Sequence, residues 1–309
     1  MPGRRTPAAL LSGWFFCASL ASAWAVPVEV VTTTTELRSL VEAVGGERVR
    51  VRAIVPGNRD AEDYVAKPQD VLLLKRAQMV VRVGLDYDLW FDGLLAKSAN
   101  ADIRKGSVGY VDASQGIMLL DVRPGGLGDK GHSHGAGNPH YWLDPKNAEM
   151  ITAQVLLGLA ELAPSEAKRF EANRIAFLEQ LERRRTHWET RLLPLAGRAL
   201  IAYHNSWPYL ARRFQIRFVG TIEPRPGVAP PPSHLAHLLD VAKELRVAGI
   251  VLGTREPRKD AQFLAQKMRV PLIVLAESVG ATPAINGYGD LIEFNVAALE
   301  ALIPGADAK

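Results

Sequence analysis

Cysteine is almost missing: Cys17 is the single one among 309 residues. A chain with no second cysteine forms no internal disulfide, so an exported product must be held by its core or by a ligand. Long apolar runs are also missing after the first 25 residues, where nothing approaches the ~20 residues a membrane-spanning helix needs. Charge of one sign is scarce as well. The formal net charge is +4 and unclustered, which gives nucleic-acid binding no support. There is no H-E-x-x-H and no C-x-x-C, so two common zinc signatures are excluded. What remains is 48% hydrophobic and 23% charged, an ordinary globular balance whose length suggests two domains or lobes.

The N-terminus stands apart. MPGRR supplies a positive region, AALLSGWFFCASLASAWA carries no charge, and Ala23-Trp24-Ala25 offers an A-x-A cleavage site. This predicts a signal peptide over residues 1–25, removed on export. Trp14-Phe15-Phe16 precedes Cys17 in place of the Leu and small residues of a lipidated cysteine, so lipidation is not expected. Cleavage removes the cysteine, Arg4 and Arg5, leaving 35 basic residues against 33 acidic ones.

From Val26 strands and helices alternate. VPVEVVTTTT, VRVRAIV, MVVRVG and GYVDAS read as strands, rich in β-branched residues as buried parallel strands are. ELRSLVEAVGG, PQDVLLLKRA and LWFDGLLAKSA read as the helices between them. After Pro164, Ser165 is expected to cap a long helix. Phe170, Phe177, Leu181, Trp188 and Leu192 recur at intervals of 7, 4, 7 and 4, one stripe along about seven or eight turns. Strands then resume at RALIAY, IRFVGTI, GIVLGT and PLIVLAE, with helices near 206–214, 233–246, 257–268 and 289–303. The expected fold is α/β: two lobes, each a mostly parallel sheet flanked by helices, joined by one long helix. The expected divisions are 26–163 for the first lobe, 164–194 for the linking helix and 195–309 for the second lobe.

Ligands of α/β sheets bind beyond the carboxyl ends of the strands. Four metal-capable residues fall there: Glu62 after VRVRAIV, His140 in the loop after Leu119-Leu120, His204 after ALIAY, and Glu277 at the end of PLIVLA. Two imidazoles and two carboxylates can hold a divalent metal. Each also has an ordinary structural reading. Glu62 could be a solvated loop charge, His140 a ring packed on Trp142, His204 a helix cap and Glu277 a strand-end carboxylate.

Over nearly its whole mature length the chain resembles the periplasmic solute-binding proteins of ATP-driven zinc, manganese and iron importers. Pro139-His140-Tyr141-Trp142-Leu143-Asp144-Pro145 matches that family's P-H-x-W-x-D-P run and is the most specific motif. Asp60-Ala61-Glu62-Asp63-Tyr64, followed by Lys67-Pro68-Gln69-Asp70, resembles its first block. His204 with Trp207-Pro208-Tyr209-Leu210 resembles its third, and Ala276-Glu277-Ser278-Val279-Gly280 its last. Val251–Glu256 resembles the family's I-F-x-E only loosely. The resemblance implies a metal site of Glu62, His140, His204 and Glu277, with Glu62 replacing the family's first histidine and Glu277 its last aspartate. A site with two carboxylates is harder than a three-histidine one and more open to Mn²⁺ or Fe²⁺. If Glu62 does not reach, Asp60 or water completes the shell.

The resemblance further implies a monomer in the periplasm that binds Zn²⁺ first, with Mn²⁺ or Fe²⁺ as alternatives. It would carry out no reaction and would deliver its ion to an ABC permease in the inner membrane. His132 and His134 lie in the glycine-rich stretch 125–137, which predicts a loop unable to fix a closed coordination geometry. They read either as weak collectors beside the fixed ligand His140 or as part of an ordinary surface loop. Two rivals remain at this stage: an exported metallohydrolase using the same site, and a metal-free adhesin or structural surface protein on this fold.

Overall fold

The computed structural model describes residues 26–122, 137–303 and 305. The expected signal peptide, His132 and His134 lie outside the described residues. Strands β1 (Val28–Thr32), β2 (Val49–Ala53), β3 (Met79–Arg82) and β4 (Tyr110–Asp112) form a parallel sheet in the order β2-β1-β3-β4. A second parallel sheet repeats that order as β6-β5-β7-β8. Its strands are β5 (Ala199–Ala202), β6 (Arg217–Thr221), β7 (Gly249–Gly253) and β8 (Leu272–Leu275). The helices are α1 (Thr35–Gly45), α2 (Pro68–Leu74), α3 (Trp90–Ser98), α4 (Ala148–Leu162), α5 (Ala167–Leu192), α6 (Pro208–Phe214), α7 (Pro232–Leu245), α8 (Arg258–Met268) and α9 (Tyr288–Glu300). The expected two-lobed α/β architecture is the one the chain adopts.

The strand order positions a site. In each sheet the first strand lies between the second and third, so chains leaving β1 and β3 diverge to opposite sides, as do those leaving β5 and β7. Such divergence opens a crevice at the carboxyl ends.

Helix α5 has 26 residues, roughly 39 Å at 1.5 Å per residue. Its buried residues are Phe170, Leu181, Trp188 and Leu192, and it packs on α1, α4 and α9, so it touches both lobes. Its start differs from expectation. Pro164 opens a 3-10 turn over 164–166, which leaves Ser165 inside the turn; Glu166 takes the N-cap position and no side chain caps the helix. α4 had no counterpart in the sequence reading.

Inward residues alternate along the second sheet. Leu200, Ala202 and Val251 join a core that runs from Val28 in the first lobe to Leu302 in the second, whereas Ala199, Ile201, Ile250 and Leu252 join a separate cluster under α7 and α8. The larger core is continuous across both lobes. Hydrogen bonds reinforce it: Thr35 Oγ1 donates to the Val279 carbonyl (2.7 Å), Trp142 Nε1 to that of Glu277 (2.8 Å) and Asn138 Nδ2 to that of Asn205 (2.7 Å). Shared core and shared hydrogen bonds oppose wide hinge opening. Among the described residues no helix is long and apolar enough to cross a membrane.

Candidate metal centre

A cavity of about 420 Å³ lies between the lobes at the strand exits, and all four candidate residues line it. Each is placed by local structure. Glu62 sits in the loop between β2 and α2, where its backbone N–H donates to Asp60 Oδ1 (2.9 Å). Trp90 Nε1 donates to the neighbouring Ala61 carbonyl (2.7 Å), and the Tyr64 ring packs 4.9 Å from that of Trp90. Asp70 closes the loop by accepting from Tyr64 Oη (2.9 Å) and the Lys67 N–H (2.7 Å).

His140 is buried. Its ring lies 5.4 Å from Tyr87 and 5.3 Å from Trp142. Asn138 Oδ1 accepts from the His140 backbone N–H (3.0 Å) and stands 3.2 Å from Nδ1. A proton on Nδ1 then leaves the Nε2 lone pair facing the cavity, where Nε2 lies 3.3 Å from Glu62 Oε1. Two donors ~2.0–2.1 Å from a tetrahedral ion stand about 3.4 Å apart, so this spacing is already that of an edge of a coordination shell.

His204 exits β5. Its Nδ1 donates to Glu223 Oε2 (2.7 Å), which fixes the tautomer and leaves Nε2 for the cavity that His204 lines, the carboxylate–histidine pairing common at metal sites. Glu223 is itself held, since Oε1 accepts from the Gly227 N–H. Donor atoms of Glu62, His140 and His204 all lie within 4.8 Å of one another. Two come from one lobe and one from the other. Glu277 is not in that group: Oε1 accepts from Ser206 Oγ (2.7 Å) and Oε2 from Arg255 Nη2 (2.9 Å).

Glu223, Asn138 and Arg255 were not anticipated. Glu223 follows β6 by two residues, so the strand-exit rule that found the others could have found it. Asn138 and Arg255 carry no ligand signature in sequence.

The charge balance sets a proton cost. Burial alone would lower the His204 pKa, but its hydrogen bond to Glu223 and the charges of Glu62, Glu223 and Glu277 carry it up to about 9. Glu256, at the exit of β7, is pushed up to about 8 by burial and by the Glu277 charge. A metal that ligates His204 must therefore displace a proton from it near neutrality. We expect zinc affinity to rise ~10-fold per pH unit as pH climbs from 6.5 toward 9. Calorimetry in buffers of different ionisation enthalpy should show about one proton released at pH 7; release of none would refute the coupling. In the metal-free protein the sign is opposite. A value above the ordinary 6.5 means the His204–Glu223 pair stabilises the fold fully below pH 6.5, and that stabilisation fades as pH rises through 9.

Two parallel α/β lobes, a long helix spanning both, and a cluster of buried His140 with half-buried Glu62 and His204 between them define a two-lobed metal-binding protein. The family model of the zinc-uptake complex component A, periplasmic, matches residues 30–302, and the chain belongs to that family. It is 24% identical to the manganese-binding lipoprotein MntA of Halalkalibacterium halodurans, over 87% of this chain and 86% of that one. It is likewise 24% identical to the high-affinity zinc uptake system protein ZnuA of Brucella abortus, over 70% and 73%. The crystal structure of ZnuA superposes with a TM-score of 0.74 at 27% identity, covering 90% of this chain and 98% of that one.

Proposed function

We propose that the chain, once exported and freed of residues 1–25, captures one divalent transition metal between its lobes and hands it to an ABC permease in the inner membrane. The carrying observation is the convergence of Glu62, His140 and His204 within 4.8 Å, each delivered by a different loop. Family membership supports the same reading, as do relatives named for manganese and zinc. The protein works as a monomer, in the periplasm, without catalysing a reaction. Zn²⁺ is the first candidate cargo, ahead of Mn²⁺ and Fe²⁺, because two imidazoles with few hard donors suit it best.

Competition among the three ions on protein purified without a metal-binding tag tests the reading. Zinc should bind more tightly than manganese, as the Irving–Williams order demands of mixed N/O sites; manganese displacing zinc would overturn the assignment. Replacing His132 and His134 with alanine should leave the affinity of this site within about threefold.

Ligand removal gives a second check. Binding to the native state stabilises it by about 4 kcal/mol at a thousandfold excess over Kd. No disulfide compensates in the mature chain, so verified chelation should lower Tm by several degrees. An unchanged melting curve would count against a tight site.

A further inference from the structure

Arg255 is the one cationic side chain other than the histidines that lines the cavity among the described residues. Its Nη2 lies 2.9 Å from Glu277 Oε2 and 3.9 Å from Asp60 Oδ2, while Nε and Nη1 are buried without a protein hydrogen-bond partner. A guanidinium keeps its charge at any accessible pH. A permanent cation beside a cation-binding pocket opposes the ion by simple Coulomb repulsion. Its placement on Glu277 has a further consequence. Ser206 occupies Oε1 and Arg255 occupies Oε2, so both oxygens of this buried carboxylate are engaged by the wall of their own lobe. Meanwhile Glu62, His140 and His204 converge without it.

We propose that Arg255 determines which metal the site takes, by holding Glu277 out of the coordination shell. The inference rests on the metal-capture reading above and narrows it. With Glu277 withheld, the ion meets two imidazole nitrogens and one carboxylate, a set that a water completes to the four-coordinate geometry Zn²⁺ favours. Mn²⁺ prefers a larger shell rich in hard oxygen donors, and here Glu277, a carboxylate of the cavity wall, is denied to it. Arg255 thus offsets the hardening that Glu62 brings in place of an imidazole.

The test is a double-mutant cycle on the full mature chain: the parent, Arg255→Leu, Glu277→Gln and the pair, each titrated with Zn²⁺ and Mn²⁺ against chelators of known affinity. Arg255→Leu should strengthen both metals but manganese more, narrowing the ratio of the two dissociation constants at least fivefold. Glu277→Gln alone should change zinc affinity by less than threefold. Added to Arg255→Leu, it should restore the parental ratio. A ratio that narrows less than fivefold in Arg255→Leu overturns the proposal. So does a zinc loss of threefold or more in Glu277→Gln alone, because Glu277 would then already be a ligand. Arg255→Gln, a polar replacement without the charge, serves in place of Arg255→Leu if that variant does not fold. His140→Ala is titrated alongside: zinc binding that survives there defeats the metal-capture reading itself, separately from the outcome at Arg255.

Discussion

Alanine at His140 or at His204 should weaken zinc binding by more than ~100-fold, beyond the 10–100-fold typical of losing a residue that only orients a ligand. The two residues approach the cluster from opposite lobes. His140 contributes from the first lobe, fixed by Asn138 and packed on Tyr87 and Trp142, and His204 from the second, fixed by Glu223. Glu223→Gln should cost less, about 10-fold, because the imidazole stays while its orienting charge goes. It should also bring the His204 pKa back down, which shrinks the proton release described above. Equilibrium competition with a chromogenic chelator measures all three variants. Wild-type affinity in either alanine variant would show that the cluster is not the site.

Much of this centre was legible in the sequence, for reasons that can be named. β-branched runs marked the strands, and a parallel sheet gathers the loops that follow its strands at one edge, where ligands of such sheets bind. That logic reached Glu62, His140, His204 and Glu277, and all four line the same cavity. It could not say which of them converge, because convergence depends on side-chain direction. Glu277 illustrates the limit. Its backbone is where the strand pattern puts it, yet its carboxylate turns to Ser206 and Arg255, and no periodicity encodes that. The same holds for Asn138, whose role comes from one oxygen meeting both the backbone and the ring of His140.

Among the helices, α5 was readable and α4 was not. The stripe on α5 is narrow and set in a charged sequence, so the periodicity stands out. α4 buries Ile151, Val155 and Leu159, but its outward face carries Met150 and Leu157, 38% and 65% exposed. With apolar residues on both sides there is no one-sided stripe to see.

Asp88→Ala should destabilise the metal-free protein by about 3–5 kcal/mol, the usual cost of removing one partner of a buried ion pair. Asp88 is wholly buried and Arg82 nearly so. One oxygen of Asp88 accepts from Arg82 Nε (3.0 Å), Arg82 Nη2 (2.8 Å) and the Gly84 N–H (3.2 Å), and the other accepts from the Val83 N–H (2.8 Å). These bonds clamp a strained turn. Gly84, Leu85 and Asp86 all have positive φ, at 78°, 52° and 64°, and left-handed backbone costs roughly 1–2 kcal/mol per non-glycine residue. The next residue is Tyr87, whose ring packs edge-on against His140 and Trp142. The clamp therefore connects a buried ion pair in the first lobe to His140, the proposed ligand. Releasing it removes four accepted hydrogen bonds, leaves the Arg82 guanidinium with Asp92 and Tyr110 as its side-chain partners, and frees the ring that backs His140. Urea unfolding of the metal-free protein measures the stability loss, and zinc competition measures the fall in affinity, expected at about 10-fold as for other supporting residues. Asp88→Asn, which keeps two acceptor lone pairs but no charge, should fall between the parent and the alanine variant on both scales. A stability change under about 1 kcal/mol in Asp88→Ala would mean that the turn holds its shape without the clamp.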